Sequence, residues 1–588
     1  MNKKDNTESE NLRHSLAHLL AASVLKIYPD TKITLGPAID DGFYYDFEFN
    51  QSISEKDLPK IEKTMRKILP TWSSFTEEKK TKQEAGEYFK DNPYKLELIE
   101  EITNRDEEIT FYTSGPTDDE FTDLCRGGHT ENPKKDINPD AFKLTRVAGA
   151  YWRGDEKNKM LTRIYGVAFK DKTELDEYLA WQEEAKKRDH RKLGKELDLF
   201  TFSDLVGAGL PLFTPKGTLL RNEIQNKLTK ISKKYGMQAV TIPHIAKKEL
   251  YEISGHAQKF SDELIKVVSH YDEFVMKPVN CPHHTQIYAS KPKSYRDLPV
   301  RYMESTMQYR DEKPGEIGGL TRVRSITCDD GHIFCTVDQI KQESSNIANI
   351  IKEFYTQIGL YGNHWVSLSV RDPKTPDAYI GDENDWEKAE KMLSEISDDL
   401  KLDAKRVEGE AAIYGPKLDY MFKDSLSREW QLATIQIDFA MPKRFNLEYT
   451  NEKGDKVPPV MIHRAILGSY ERFLAILIEH FAGAFPLWLS PTQIRIIPIS
   501  ENHNEYSEEI LEKLKQSDIR VEIDKSNESL GKKIRIAKQE KIPYLAIIGD
   551  AEVKNQTVTL EGREEKKGEY DYSDLLEYLQ KEISGDSK

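Results

Sequence analysis

The stretch Tyr302–Cys335, YMESTMQYRDEKPGEIGGLTRVRSITCDDGHIFC, constrains the fold of this chain more than any other. It reads as two strands joined by a polar loop. Arg310, Asp311 and Glu312 close the first strand, and Arg322 and Arg324 alternate along the second, where period-2 spacing puts both on one face. A hairpin that aims guanidinium groups from both strands into one cleft suits a polyphosphate, because the planar fork of arginine binds phosphate oxygens in pairs and stays charged. A hairpin with a solvated charged face carries the same pattern. The hairpin alone does not choose between them.

Two distant segments bear on that choice: MKPVNCPHHTQIY at Met276–Tyr288 and VMIHRAILGSYERF at Val460–Phe473. Cys281, His332 and His463 are candidates for a zinc site with an open fourth position, the pattern of catalytic rather than structural zinc. Their spacing proves nothing by itself. Taken together, the CPxH segment, the R-D-E loop followed by TRVRSIT-C-DDGHIFC, and IHRAILGSYERF resemble the aminoacylation core of the threonyl-tRNA synthetases, a class II aminoacyl-tRNA synthetase family.

The fold this resemblance implies is α+β and multidomain. It comprises a class II catalytic core on an antiparallel sheet, an α+β editing domain and a C-terminal α/β anticodon-binding domain. The implied function is ATP-dependent attachment of L-threonine to tRNA(Thr) through a threonyl-adenylate. Arg310 would meet the α-phosphate and Arg472 the other end of the nucleotide. Glu312 and Arg322 would hold base and phosphates, and Mg²⁺ would accompany the ATP. Asp330 is placed to accept the substrate hydroxyl proton. Tyr414, Gln431, Thr434 and Gln436 would line the substrate pocket, where ordinary strand positions are the plainer reading.

Near the start, LRHSLAHLLAASVLKIYP has the three- and four-residue recurrence of an amphipathic helix, with His14 and His18 one turn apart on one face. Later, DLCRGGH sets Cys125 and His129 four apart. Zinc held by HxxxH plus CxxxH is one reading, and two exposed histidines with an unrelated cysteine is the other. HSLAH, GFYYDF, DLCRGGH and AGAYWRGDEKNKMLTRIYG resemble the editing domain of the same family, which hydrolyses mischarged seryl-tRNA(Thr) without a bound metal. The resemblance therefore excludes zinc there and makes His14, His18, Lys95, Asp123, Cys125 and His129 the pocket lining. A histidine or the cysteine would position or activate water, and the sequence leaves open which one does. The chain begins almost at this helix, which implies a form without the ubiquitin-like domain that most bacterial relatives carry before it.

The expected organisation is a disordered segment at 1–10, an editing domain at 11–171 and a helical linker at 172–196. A catalytic domain at 197–488 and an anticodon-binding domain at 489–588 follow. The linker's basic part, KKRDHRKLGK, reads as a solvated helix face. The helix in FTPKGTLLRNEIQNKLTKISKKYGMQAVTIPHI resembles the first class II motif and implies a homodimer. From LSPTQIRIIPIS onward, strands and helices alternate as in a small α/β domain. Lys532, Lys533 and Arg535 would form a basic patch for tRNA phosphates. A net charge of −15 speaks against indiscriminate nucleic-acid binding but not against such a local patch. The start has no apolar leader, no apolar run is long enough to span a bilayer, and four cysteines make no disulfide framework. These features imply a cytoplasmic enzyme with no membrane partner.

The chemistry explains why both sites would sit on one chain. Threonine and valine are nearly isosteric, and an apolar pocket separates such a pair only ~100-fold. A zinc with an open position can take amino group and hydroxyl together, and valine has no hydroxyl to offer. Serine has both groups and lacks only a methyl, so it is activated too and a second, hydrolytic site becomes necessary. The chain departs from the family pattern at Cys328, where Gln is usual, and at Leu432 and Ala433, where Cys and Gly are usual; that pair is expected to narrow the floor beneath the substrate. His283 stands where Gly is usual, and Glu561 where relatives often have Arg. A non-catalytic tRNA-binding paralogue with a drifted core is the main alternative. A metallohydrolase built on HSLAH is a weaker one, because that motif lacks the internal Glu of HExxH.

Overall fold

The computed structural model describes residues 3–117, 119–259 and 263–584. The chain divides into two compact units, Met1–Glu184 and Ala185–Lys588.

The first unit is built on the helix Lys3–Ile27. Residues 3–10, expected to be disordered, form its first turns, and residues 1–2 lie outside the described residues. The helix is not simply two-faced, because every residue from Ser15 to Val24 is buried. Ser15, Ala17, Ala21, Ala22 and Ser23 are small enough to let neighbours close in on all sides. Leu16, Leu19 and Leu20 share one core with Phe43, Tyr45 and Phe47 of the strand Gly42–Glu48. That strand lies in a five-stranded antiparallel sheet with Lys32–Ile33, Ala38–Ile39, Met160–Ala168 and Phe142–Tyr151. A second sheet, Thr76–Lys80, Ile109–Ser114 and Phe121–Leu124, ends at the DLCRGGH loop.

The charged stretch that follows is two helices, Lys172–Arg188 and His190–Glu196. They break at Asp189, whose side chain accepts the Arg191 amide. His190, Leu193 and Gly194 are buried, so this end of the expected solvated linker is seated in the second unit. His190 Nδ1 lies 2.6 Å from Glu479 Oε1, and its Nε2 accepts the Leu320 amide at 3.0 Å.

The second unit centres on an eight-stranded sheet. In spatial order its strands are Gln238–Ala239, Val300–Tyr309, Ser325–Cys335, Val460–Ala465, Glu429–Asp438, Lys417–Lys423, His364–Val370 and Lys405–Glu408. The inner strands are antiparallel, and both edge strands join in parallel. Ile333, Ile435, Ile437 and Ile462 share a core with Ile347, Ile351 and Phe354 of the helix Ile340–Gln357, and with Phe473, Leu474 and Leu477 of the helix Tyr470–His480. Side chains alternate across a strand, so the intervening residues, Asp330, His332, Thr434, Gln436 and His463, face the other way. That second face is the floor of a cleft.

The strands of the central hairpin stop at Tyr309 and restart at Ser325, so Arg322 and Arg324 lie in the loop and do not alternate along a strand. Gly318 and Gly319 interrupt the ladder, and the loop folds back through a bridge between Gly318 and Arg322. Glycine is suited to the turn because φ is 54° at Gly319.

The C-terminal part carries a five-stranded sheet in the order Val521–Ile523, Ile494–Pro498, Tyr544–Ile548, Thr557–Gly562, Lys566–Asp571. The expected basic patch loses a member there. Lys533 is buried and donates to the carbonyls of Pro498 and Asp524, while Lys532 pairs with Glu528 at 2.7 Å. Among the described residues no helix is long and apolar enough to cross a membrane.

Candidate functional site

His332 and His463 are register partners on neighbouring antiparallel strands, which is why residues 131 apart in sequence meet. His332 Nε2 lies 3.1 Å from His463 Nδ1. Cys281 opens the helix Cys281–Ala289 above them, and its sulfur and the two ring nitrogens all lie within 4.8 Å of one another. All three residues are buried. Asp438, fully buried, accepts the amides of Ala440 and Met441 at one carboxylate oxygen and faces His463 Nε2 at 2.8 Å with the other. That bond holds the ring proton on Nε2 and leaves the Nδ1 lone pair free. One thiol and two imidazoles, with a carboxylate behind one ring, form a donor set that fits zinc.

Cys328, Asp330 and His332 share the cleft face of one strand. Asp330 accepts from the Asn280 amide at 3.1 Å, and burial raises its pKa. Tyr414 stacks on His463, with ring centroids 4.4 Å apart, and donates to Gln436, which donates to Thr434. Gln431 reaches the same face through a bulge, where the strand partners step from Tyr420–Ala433 to Met421–Gln431. The extra residue is Leu432. Leu432 and Ala433 are both buried in the main core, so they do not narrow the cleft floor as expected.

Arg310 follows the first hairpin strand, and Arg472 lies in the first turn of the helix Tyr470–His480. Arg322 binds Glu312 at 2.7 Å and Glu316 at 2.8 Å. Desolvation lowers the pKa of the Arg472 guanidinium, and the nearby charges of Arg322 and Arg310 lower it further. Three guanidinium groups close enough to oppose one another's charge make a seat for an anion. Arg324, by contrast, spends its donors on the Glu312 and Ala208 carbonyls.

In the first unit His14, His18, Cys125 and His129 meet. The rings of His14 and His129 stack at 4.4 Å, and the Cys125 sulfur lies 3.5 Å from His14 Nε2 and 3.3 Å from His129 Nε2. The loop turns tightly enough to return His129 to Cys125 because Gly127 and Gly128 take φ of 86° and 82°. Beneath them Lys95 and Asp123 form a buried ion pair at 2.5 Å, and Tyr45 donates to the same carboxylate. Burial lowers the pKa of His14, holds His18 well below the ordinary histidine value and brings His129 to about 3. Burial also pushes the Cys125 thiol up to about 12. The imidazoles are therefore neutral bases near pH 7 while the thiol keeps its proton. The four donor atoms lie within 4.8 Å of one another, so proximity does not separate a metal cage from a hydrolytic pocket.

Residues 264–481 match the tRNA synthetase class II core domain (G, H, P, S and T), and residues 493–582 match the anticodon binding domain. Residues 109–165 match the threonyl and alanyl tRNA synthetase second additional domain. The threonine–tRNA ligase of Gloeobacter violaceus is 46% identical over 99% of this chain and 94% of its own length. The chain belongs to the threonine–tRNA ligase family. The family's member from Cytophaga hutchinsonii is 47% identical over 97% of this chain and 88% of its own. Among solved structures, the RNA binding domain of a threonyl-tRNA synthetase from Cryptosporidium parvum superposes with a TM-score of 0.64 at 34% identity, covering 67% of this chain and 98% of its own. A prolyl-tRNA synthetase from Giardia lamblia, 16% identical with a TM-score of 0.53 over 69% of this chain and 80% of its own, shares the fold.

As a threonine–tRNA ligase the chain is a class II aminoacyl-tRNA synthetase, with catalytic, anticodon-binding and editing-type domains. The positions at which the resemblance implied other residues have distinct surroundings. Desolvation pushes the Cys328 thiol up, so it sits protonated in the cleft. His283 is buried and, among the described residues, finds no hydrogen-bond partner for either ring nitrogen. Glu561 is tied to Lys538 at 2.9 Å. Asp438 and Asn280 are marked by no motif in the sequence. Asp438 continues the alternation of Thr434 and Gln436, and that signal was available.

Proposed function

We propose that this threonine–tRNA ligase selects threonine at the Cys281, His332 and His463 cluster and edits seryl-tRNA(Thr) at the cluster of His14, His18, Cys125 and His129. The observation that carries the reading is that two separate soft-donor clusters form on one chain, in different folded units. The threonine carboxylate attacks the α-phosphate of ATP, and pyrophosphate leaves. A terminal ribose hydroxyl of tRNA(Thr) then attacks the adenylate's carbonyl carbon, breaking the acyl–phosphate bond and releasing AMP. Arg310 and Arg472 hold the phosphates against their developing charge, with Arg322, Glu312 and Mg²⁺ completing the nucleotide site. Zinc held by Cys281, His332 and His463 would supply an electrophilic position for the substrate amino and hydroxyl groups. Asp330 accepts the hydroxyl proton, and Tyr414, Gln431, Thr434 and Gln436 wall the side-chain pocket. Valine leaves Asp330 without its partner.

In the editing pocket a neutral histidine takes the proton of the attacking water, because the Cys125 thiol is the weaker candidate base. Lys95 and Asp123 fix the floor. The pocket works without a metal. The protein acts as a cytoplasmic homodimer.

The test is ATP–pyrophosphate exchange with threonine, serine and valine on metal-quantified protein, beside hydrolysis of seryl-tRNA(Thr). Exchange should be strongest with threonine, roughly 10–200-fold weaker with serine and negligible with valine. Zinc should be one per chain, lost in His463→Ala and kept in Cys125→Ala, and replacing the histidines of the editing cluster should stop seryl-tRNA hydrolysis. Exchange without zinc, or a second zinc lost with Cys125, contradicts the reading.

A further inference from the structure

His284 stands one helical turn after Cys281, is completely buried, and touches the cluster from behind. Its Nδ1 lies 2.7 Å from His332 Nδ1. Its Nε2 lies 3.5 Å from Glu304 Oε2. Glu304 sits opposite Asp330 on the neighbouring strand, and its other oxygen accepts the Ile242 amide at 3.0 Å. Among the described residues, Glu304 Oε2 and His284 Nε2 are both buried and neither has a hydrogen-bond partner, so each is left to the other across that gap.

The proton count on this row has two solutions. Two ring nitrogens 2.7 Å apart must be one donor and one acceptor. If His284 donates, the neutral His332 ring carries its proton on Nε2, the atom that faces His463 and Cys281, and it cannot ligate. The bare Nε2 of His284 then points its lone pair at a carboxylate. If His332 donates, its Nε2 lone pair is free toward the cluster. His284 then carries its proton on Nε2 and offers it to Glu304. The first solution pairs His332 Nε2 with His463 but leaves the Glu304 carboxylate facing a lone pair. The second gives Glu304 a donor and leaves the His332 Nε2 and His463 Nδ1 lone pairs facing each other at 3.1 Å, an arrangement that a shared cation satisfies. The other histidine already has such an arrangement, since Asp438 holds the proton of His463 on Nε2. The two ligand rings are thus backed by carboxylates, one directly and one through an intervening imidazole.

We propose that Glu304 and His284 are positioning residues that set the tautomer and ring orientation of His332, so that its Nε2 is presented to a metal ion. The inference rests on the zinc reading above. It predicts that metal affinity depends on two side chains that never touch the metal.

The experiment measures Zn²⁺ affinity of the full-length protein by competition with a chelating indicator, beside the unfolding temperature of the metal-free protein. His284→Ala removes the acceptor and should weaken zinc about 10–100-fold, the usual cost of losing a partner behind a ligand ring. His284→Gln keeps an amide oxygen that can accept from His332 Nδ1 and should recover part of that loss. Glu304→Gln, nearly isosteric, should weaken zinc in the same direction by less. The KM for threonine in exchange should rise in step with the zinc loss while that for ATP stays put, a split that general loosening of the fold does not produce. One zinc in the parent, lost in His463→Ala, with folded His284→Ala and Glu304→Gln binding within about twofold of the parent, overturns the positioning role and leaves the zinc reading standing. No zinc in the parent overturns both.

Discussion

Single side chains in the pocket around His14 are held in states they do not have in water. His14, His18 and His129 stay unprotonated because burial opposes their charge, and His129 titrates at about 3. A base with the ordinary histidine value of about 6.5 loses function as pH falls through 6.5. Seryl-tRNA hydrolysis by this protein should instead hold its rate as pH falls through about 6.5 and decline only at lower pH, and a single-turnover profile that halves near 6.5 would show the base is exposed. The same shifts act on stability. The unfolded chain takes up protons at these histidines below about 6.5 while the folded unit does not, so their contribution is whole above that pH and drains away toward about 3. Side chains of this kind were only partly legible in the sequence. Cys281, His332 and His463 come together in the fold, and only their motifs point to it, since residues so far apart give no spacing signal. His284 and Glu304 were missed because neither is marked until the strand register puts one behind His332 and the other behind His284.

Elements show where pattern reading succeeds and where it stops. The resemblance named Gln431, Thr434 and Gln436; alternation along Glu429–Asp438 puts the last two on one face, but the bulge at Leu432 shifts the phase before them, and no residue in QLATIQ announces a bulge. The hairpin loop was misread for a related reason. TRVRSIT has strand alternation, but its arginines are consumed by loop carbonyls and carboxylates before the ladder starts at Ser325. The second helix of the linker was read as solvated because its composition is charged, yet its one buried histidine finds both a carboxylate and an amide. Strand Ser325–Cys335 also carries a charge on its hidden side. Arg464 Nη1 lies 2.7 Å from both oxygens of Asp329, and Ile466 donates to the same carboxylate. Removing one partner of a pair so deeply buried strands the other. Arg464→Leu should therefore cost roughly 3–5 kcal/mol, read as a lowered calorimetric transition of the catalytic unit, whereas a loss below about 1 kcal/mol would mean water reaches Asp329.

At the scale of the whole molecule, the second unit leaves apolar side chains uncovered around the segment that resembles the first class II motif. Leu205 is 99% exposed, and Phe202, Val206, Leu212 and Ile245 are each more than a third exposed. Burying such a set between two copies is the simplest way to remove it from water. Light scattering should give twice the chain mass at micromolar concentration, and Leu205→Asp should shift the protein toward the single-chain mass. A single-chain mass for the parent sinks the dimer. The class of the fold was legible from the sequence because its alternating strands and its βα rhythm are spread over many residues.

The pairing of His332 with His463 across two strands has one more consequence. Side chains reverse face with every residue, so a slip of one position in either strand turns one imidazole into the apolar core and away from Cys281. A chain whose sheet closed out of step could not assemble the trio at all. In the proposed reading, metal uptake would therefore also report how the sheet was laid down.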